Sequence, residues 1–327
     1  MGVVTYKEAS RLALVEEMRR DSTVWALGED VGDGGVFGQY AGLRDEFGFN
    51  RVVSTPISEA TIMGAAVGAA MVGTRPVVEL RFADFALCAM DEMVNQAAKA
   101  RYMFGGQTRV PVVIRQPIGM WRSSAAQHSQ SLESWYVHTP GFVVLAPGTP
   151  ADNHGLLKSA IRCDDPVIFM EHKALYRSAA ARSPEPDENY LLPFGKARTV
   201  REGTDLTIVT YGMMVHKCTT LARQLEKEGI SVEIIDLRTL LPLDMDTVLE
   251  SVHKTNRALV VYEDHEFVGY GAELAAQISD KAFGVLDAPV RRLAGKFAQI
   301  AFADPLEREL LPQDDDILEA VYSVMRF

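Results

Sequence analysis

Short apolar segments rich in β-branched residues alternate with helical segments along this chain, and no other feature limits its fold as strongly. Residues 75–80, 110–115 and 167–170 are predicted strands, and helical patterns of about 10–15 residues alternate with such segments. This alternation is typical of a parallel sheet that helices cover on both faces. Because the pattern restarts at residues 206–211, we predict an α/β chain with two doubly wound domains.

A polar segment interrupts the alternation and marks the predicted boundary between the domains. Residues 182–187 read RSPEPD, a proline-rich composition that is typical of linkers. We therefore predict a first domain at residues 1–180, a linker at 181–197 and a second domain at 198–327. The length of 327 residues is consistent with two domains, at roughly 100–200 residues per domain.

Charge, cysteine content and hydropathy argue against several classes of protein. The formal net charge is −11 with no basic run, which argues against a nucleic-acid partner. Cys88, Cys163 and Cys218 are widely spaced, which indicates reduced thiols rather than a disulfide framework or a zinc site. The N-terminus lacks the features of a signal peptide, and no stretch reaches the roughly 18 apolar residues of a membrane span. We expect a cytoplasmic protein.

Two glycine motifs suggest cofactor sites, and both are incomplete. Residues 32–35 (GDGG) resemble the start of the magnesium–diphosphate motif of thiamine enzymes, which needs an Asn about 25 residues later. Asn50 comes too soon and Asn95 too late, so we interpret residues 32–35 as a turn. Residues 269–271 (GYG) follow a predicted strand, but Leu274 replaces the third glycine of a dinucleotide fingerprint. An NAD-binding oxidoreductase is therefore a weaker alternative.

Two polar side chains are candidates for catalysis. Glu59 stands in the first turn of a predicted helix that is crowded with small residues. Such a carboxylate commonly complements the helix dipole, although the small neighbours could also enclose it in an apolar pocket. His128 stands in a polar run after a predicted strand, at the end of a parallel strand where ligands collect. Histidine is suited to proton transfer near neutral pH, yet a histidine in a loop is more often structural.

Several motifs together resemble one family, the β subunits of 2-oxo acid dehydrogenase decarboxylating components. They include GEDV at residues 28–31, TPISE at 55–59, QHSQS at 127–131 and DLRTLLPLD at 236–244. The family contains the pyruvate, branched-chain and acetoin enzymes, and the resemblance extends from about residue 4 to residue 325. It implies a transketolase-like pyrimidine-binding domain followed by a transketolase C-terminal-type domain.

The resemblance also implies a cofactor, thiamine diphosphate, which the chain would share with an α subunit that holds Mg²⁺. Two α and two β chains would form a heterotetramer that is active only when complete. Glu59 would hydrogen-bond the aminopyrimidine ring and favour its reactive tautomer. His128 would orient substrate or move protons in the lipoyl step. Phe85, Glu29 and Arg81 are assigned to cofactor binding.

The implied reaction is oxidative decarboxylation of a 2-oxo acid, or cleavage of acetoin, with acyl transfer to lipoamide on an acyltransferase core. A split transketolase-like ketol transferase that needs no lipoamide is the nearest alternative. Gln127, ahead of His128, resembles the pyruvate and acetoin branches and favours a small substrate. Arg81 is an unusual charge beside the pocket, and we expect it either to ion-pair with Glu79 or Asp84 or to alter substrate choice.

A structural potassium site is a further implication of the resemblance. Its ligands would come from a loop and a turn, at Val112, Ala160, Ile161, Cys163 and Asp165. Backbone carbonyl oxygens and a carboxylate suit a hard cation. Cys163 stands where a carboxylate is common in the family.

Overall fold

The computed structural model describes residues 2–120 and 122–327, and the chain forms two compact units. The first contains the chain up to Ile118 together with Trp135–Phe194. The second contains Gly119–Ser134 together with Gly195–Phe327. The predicted domain boundaries at residues 180 and 198 stay a prediction.

The first unit is built on a parallel sheet. Its strands are β1 (Val3–Thr5), β2 (Val24–Gly28), β3 (Val52–Ser54), β4 (Arg75–Glu79), β5 (Val113–Ile118), β6 (Val143–Leu145), β7 (Val167–His172) and β8 (Arg182–Pro184). Strands β6, β7, β5, β4, β2 and β3 lie side by side in that order, and each neighbouring pair is parallel. Buried aliphatic side chains from these strands pack under the helices, as a sheet covered on both faces requires.

Helices follow most of these strands, as the alternation predicts. They are α1 (Tyr6–Arg20), α2 (Leu43–Phe47), α3 (Glu59–Met71), α4 (Ala83–Ala86), a π-helix (Asp91–Ala97), α5 (Ala98–Met103), α6 (Glu133–Val137) and α7 (Pro150–Arg162). At the start of α1, the backbone N–H and the hydroxyl of Thr5 donate to Glu8 Oε2 at 2.8 and 2.6 Å. This reciprocal cap lowers the pKa of Glu8 and fixes where the helix begins.

One segment of the first unit differs from the pattern expectation, and a second one agrees with it. Residues 182–184 of the predicted linker form β8, which pairs antiparallel with β1 at the opposite end of this unit's chain. Residues 32–35 form the predicted turn, in which Gly34 and Gly35 have φ of 102° and 73° after a 3₁₀ helix at Val31–Asp33. The positive φ angles explain why glycine occupies these positions.

The second unit repeats the alternation around a smaller sheet. Its strands are β9 (Arg198–Arg201), β10 (Leu206–Thr210), β11 (Val232–Asp236), β12 (Thr239–Leu241), β13 (Ala258–His265) and β14 (Arg291–Gly295). Five of these strands form the sheet, in the order β14-β13-β10-β11-β9, and within the described part of this sheet only the edge strand β9 is antiparallel to its neighbour. The helices are α8 (Met214–Lys227), α9 (Met245–Thr255), α10 (Tyr270–Lys281), α11 (Asp304–Leu310) and α12 (Asp314–Met325).

No helix within residues 2–120 and 122–327 combines the length and the apolar character that crossing a bilayer requires.

Candidate active site

The edge at which the parallel strands of the first unit end carries several residues predicted to bind a cofactor. Gly28 of β2 lies in register with Ser54 of β3 and with Glu79 of β4, so these three strands end level with one another. The chain leaving β2 continues directly into Glu29, and the chain leaving β4 reaches Arg81 two residues later. Ligands of parallel α/β sheets bind at this edge.

Glu59 approaches the same edge from the start of α3. The backbone N–H of Thr55 donates to the carbonyl oxygen of Gly28 at 3.0 Å and holds the segment before the helix against the end of β2. Ser58 occupies the N-cap position as predicted, but its hydroxyl donates to Thr61 Oγ1 at 2.9 Å instead of accepting a backbone N–H. The half-buried Glu59 is the first helical residue and lies at the positive end of the helix dipole.

The carboxyl group of Glu29 is buried and responds to the charges around it. Burial raises the pKa of Glu29, and the negative charge of Glu59 raises it further. Arg81 acts in the opposite direction, because its Nη1 lies 3.7 Å from Glu29 Oε2. The same guanidinium pairs with Asp30 Oδ2 at 2.8 Å. The structure therefore brings Glu29, Glu59 and Arg81 together.

The prediction that Arg81 forms an ion pair with Glu79 or Asp84 is wrong. Arg81 pairs instead with Glu29 and Asp30, which directly follow the neighbouring strand β2. The ends of β2 and β4 are level, because Gly28 is in register with Glu79. Glu79 faces a different direction, toward buried hydrogen-bond donors within the first unit.

Aromatic side chains extend this edge of the sheet. The ring of Phe85, in α4, lies 5.8 Å from that of Phe82, which lies 6.4 Å from the ring of Phe37. The ammonium group of the buried Lys173 is 4.8 Å from the centre of the Phe82 ring. Only Phe85 was predicted here. The spacing of Phe82 and Phe85 by three residues, one helical turn apart, is the local signal that indicates a shared face.

Glu79 is a titratable group that sequence reasoning did not assign to the site. Its carboxylate accepts hydrogen bonds from the Tyr40 hydroxyl at 2.7 Å and from Gln39 Nε2 at 3.1 Å. Burial raises the pKa of Glu79 from 4.5 to about 7, although the positive charge of Arg115 opposes this. A glutamate that directly follows the apolar residues 76–78 at the end of β4 is the only signal of it in the sequence.

His128 belongs to the second unit, in the segment Gly119–Ser134. It is half-buried, and its backbone N–H donates to the carbonyl oxygen of Ala125 at 3.2 Å. The backbone N–H of Gly119 donates to the carbonyl oxygen of Gln130 at 3.2 Å and closes the base of this loop. His128 is thus presented from a folded turn rather than from an extended loop.

Known families and relatives match this chain over its length. Residues 3–179 match the transketolase pyrimidine-binding domain, and residues 195–317 match the transketolase C-terminal domain. The 2-oxoisovalerate dehydrogenase subunit beta of Bacillus subtilis (strain 168) is 43% identical over 329 residues, with 100% of each chain covered. The pyruvate dehydrogenase E1 component subunit beta of the same strain is 45% identical over 328 residues, again with 100% of each covered. The chain belongs to the 2-oxo acid dehydrogenase β-subunit family.

One further relative and one solved structure also match this chain. The acetoin:2,6-dichlorophenolindophenol oxidoreductase subunit beta of Cupriavidus necator is 45% identical over 334 residues, covering 99% of this chain and 98% of the relative. A solved structure described as "Split gene transketolase, inactive beta4 tetramer" has a TM-score of 0.76 and 23% identity, with 99% of each chain covered. That identity supports the fold alone. The predicted fold class, two α/β domains of the transketolase type, is confirmed.

The potassium site predicted for this β subunit has competing contacts in the structure. Arg75 Nη1 donates to the carbonyl oxygens of Ile161 at 3.0 Å and Cys163 at 2.8 Å. The carboxylate of Asp165 pairs with Arg101 at 2.5 Å. The guanidinium groups of Arg75 and Arg101 therefore occupy several of the oxygen atoms that were predicted to bind potassium. With these contacts in place, the predicted ligand set does not fit a potassium ion. Across residues 2–120 and 122–327, no group of three His, Cys, Asp or Glu forms a metal site.

The glycines at residues 269–271 of this β subunit are explained by packing. A side chain at Gly271 would collide with the ring of Tyr262, and one at Gly269 would collide with the carbonyl oxygen of His265. Both contacts come from β13, so the glycines let α10 lie close against that strand. Close helix packing accounts for the motif without an NAD phosphate.

Proposed function

We propose that this chain is the β subunit of a thiamine-diphosphate-dependent 2-oxo acid dehydrogenase. The complete enzyme would decarboxylate a 2-oxo acid oxidatively, or cleave acetoin, and transfer the acyl group to lipoamide. One observation carries the proposal: the chain is 43–45% identical over its full length to β subunits of the 2-oxoisovalerate, pyruvate and acetoin enzymes.

The residues at the sheet edge suit an aminopyrimidine. Glu59 offers a half-buried carboxyl group, and Glu29 offers a buried one whose pKa is raised. Phe85 offers an apolar ring, which lies 5.8 Å from the ring of Phe82. Such a combination fits a flat ring with both apolar faces and polar edges. When bound, thiamine diphosphate supplies the nucleophilic carbon that adds to the 2-oxo group and allows carbon dioxide to leave.

Within this arrangement, each charged residue has a distinct role. Glu59 would hold a proton between its carboxyl oxygen and a ring nitrogen of the aminopyrimidine. Glu29 would bind its proton more tightly than an exposed glutamate, because burial and the charge of Glu59 both raise its pKa. Arg81 would limit that effect by pairing with Glu29 and Asp30, so the pocket does not accumulate unpaired negative charge. His128 would move a proton or orient substrate in the lipoyl step.

The partners in this proposal are an α subunit and a lipoyl acyltransferase core. The α subunit would hold Mg²⁺ and the diphosphate, and two α and two β chains would form the active heterotetramer. No step of the proposal depends on potassium. The split transketolase structure supports the fold alone. Ketol transfer is therefore only an alternative activity, which the experiment below measures.

The experiment is co-expression with the α partner, followed by assays of carbon dioxide release from pyruvate and branched 2-oxo acids and of acetoin cleavage. Because Gln127 favours a small substrate, we expect turnover of pyruvate or acetoin to exceed that of branched acids. Transfer of ketol units to an aldose, measured in parallel, would contradict the dehydrogenase assignment if it were the faster reaction.

The decisive variant is Glu59→Gln, which keeps the size of the side chain and removes its acid. We expect turnover to fall by about 10²–10⁴-fold, as for loss of a general acid–base group, while the complex still assembles. Glu46→Gln is the matched control, because Glu46 also lies in the first turn of a helix and only pairs with Arg19 at the surface. Full turnover in the Glu59→Gln enzyme would remove Glu59 from the mechanism.

A further inference from the structure

The turn that precedes His128 has a strained backbone. Arg122, Ser123 and Ala125 have φ angles of 53°, 56° and 63°, in the left-handed region that side chains with a Cβ rarely adopt. Such conformations persist only where surrounding contacts impose them, and they cluster at functional sites. The contacts that impose this turn therefore also affect the position of His128.

A buried carboxylate from another part of the second unit holds the strained turn. Glu307, in α11, is 2% exposed. Its two carboxylate oxygens lie 3.1 and 3.0 Å from the backbone nitrogen of Ser123, in the middle of the left-handed stretch. A carboxylate that accepts a backbone N–H makes a charge-assisted hydrogen bond, which is stronger than a neutral one.

The far end of the same segment is also held by an acidic group. The hydroxyl of Ser134 donates to Asp264 Oδ2, and Asp264 Oδ1 accepts the backbone N–H of His265 at 2.7 Å. The neighbouring Glu133 is buried, and burial followed by the negative charge of Asp264 raises its pKa. The segment that bears His128 is thus fixed at both ends by side chains.

We propose that Glu307 is a positioning residue, which sets the place of the His128 imidazole by holding the Arg122–Ala125 turn in its left-handed conformation. This inference rests on the proposed role of His128 in acyl transfer to the lipoyl group. Glu307 lies 184 residues from Ser123 in sequence and contacts the turn through the backbone N–H of Ser123.

The first test measures acyl transfer to a lipoyl domain by the complex with the α subunit, with decarboxylation coupled to a dye acceptor as the second readout. We expect Glu307→Ala to lower acyl transfer on the order of 100-fold, as ångström-scale misplacement of a catalytic group does. Glu307→Gln should recover most of the rate, because its amide oxygen still accepts the Ser123 N–H. Glu309→Ala, on the same helix but with an exposed side chain, should leave both rates unchanged.

A double variant separates positioning from general stability. If Glu307 acts through His128, then Glu307→Ala in a His128→Ala background should cause no further loss of acyl transfer. An additive loss would overturn the proposal. A normal rate for Glu307→Ala beside an impaired His128→Ala would overturn it as well and leave the proposed function intact. A normal rate for His128→Ala would instead reject the proposed role of His128 and, with it, the positioning role.

The second test does not depend on activity. Arg122 is exposed, so trypsin can cleave the Arg122–Ser123 bond once the turn opens. We expect the full chain carrying Glu307→Ala to be cleaved there at least about tenfold faster than the unmodified chain, with Glu309→Ala unchanged, since a tenfold ratio corresponds to the loss of about one hydrogen bond. Equal cleavage rates would show that Glu307 does not hold the turn.

Discussion

Glu79 should make the first unit less stable as the pH rises through neutrality, and the substitution Glu79→Gln should remove that dependence. The carboxyl group is buried beside Tyr40 and Gln39, and burial raises its pKa from 4.5 to about 7. A carboxyl group with a higher pKa in the folded chain binds its proton more tightly there than in the unfolded chain. Its contribution to stability is therefore complete below about pH 4.5 and is lost as the pH rises through about 7.

The magnitude follows from the two pKa values. The difference between 4.5 and about 7 corresponds to about 3 kcal/mol, at about 1.4 kcal/mol for each tenfold change in proton affinity. We expect the free energy of unfolding of the unmodified first unit to fall by about 3 kcal/mol between pH 4.5 and pH 8, relative to the Glu79→Gln variant. Other titrating groups are common to both proteins, so they cancel in the comparison.

The assay is urea unfolding at a series of pH values, followed by tryptophan fluorescence in a Trp121→Phe background, which leaves Trp25 and Trp135 of the first unit as the only reporters. Glu46→Gln serves as the control because its carboxylate lies at the surface, in an ion pair with Arg19. It should leave the pH dependence of the unmodified chain unchanged. Parallel stability curves for the unmodified chain and Glu79→Gln between pH 4.5 and pH 8 would refute the reasoning.

Two further predictions concern packing and thiol chemistry. Gly271→Ala should lower the free energy of unfolding of the second unit by about 1–3 kcal/mol, because the added methyl group meets an aromatic ring. Thermal unfolding measures this loss. The control Gly284→Ala should lower the free energy of unfolding far less, because nothing lies within 4 Å of the added methyl group. Cys88 is exposed, whereas Cys218 is buried and its pKa is raised to about 12. Iodoacetamide should therefore modify Cys88 first in the native chain, as mass spectrometry would detect, and rapid modification of Cys218 would contradict its burial.

The alternation of strands and helices was enough to predict the fold class because period and length are local properties of the sequence. Features that depend on contacts between residues distant in sequence were harder to predict. Strand β5 begins at Val113 rather than at the predicted residue 110, because the N–H of Val110 bonds the carbonyl oxygen of Asp164 and that of Val112 bonds back to Val110. The pairing of β8 with β1 is hidden in the same way, since the polar composition of residues 182–184 gives no sign of a partner near residue 4.

Helix type illustrates a second limit. Residues 90–104 have a continuous helical pattern, but the structure contains a π-helix at Asp91–Ala97 followed by α5. The two kinds of helix differ by one residue in their hydrogen-bond spacing, and the apolar positions do not distinguish them over so short a stretch.

Residues of the candidate site could be predicted from the sequence where they belong to motifs of the family. Glu59, Glu29 and Arg81 were assigned to one pocket from the resemblance, and the structure brings them together at one sheet edge. The role proposed for each stays a prediction. Glu79 and Glu307 had no comparable signal, because what distinguishes them is burial against residues far away in sequence.

The carboxyl groups near the first sheet edge should be separable by their pH dependence. Glu79 is in register with Gly28, immediately before Glu29, yet its carboxylate bonds Tyr40 and Gln39, whereas Glu29 interacts with Glu59 and Arg81. Protonation of Glu79 should therefore govern stability near pH 7, whereas Glu29 and Glu59 are the carboxyl groups proposed to contact the cofactor. It follows that Glu79→Gln flattens the pH dependence of unfolding while the pH dependence of turnover keeps its shape. A turnover profile that changed together with the stability profile would show that these carboxyl groups act as one network.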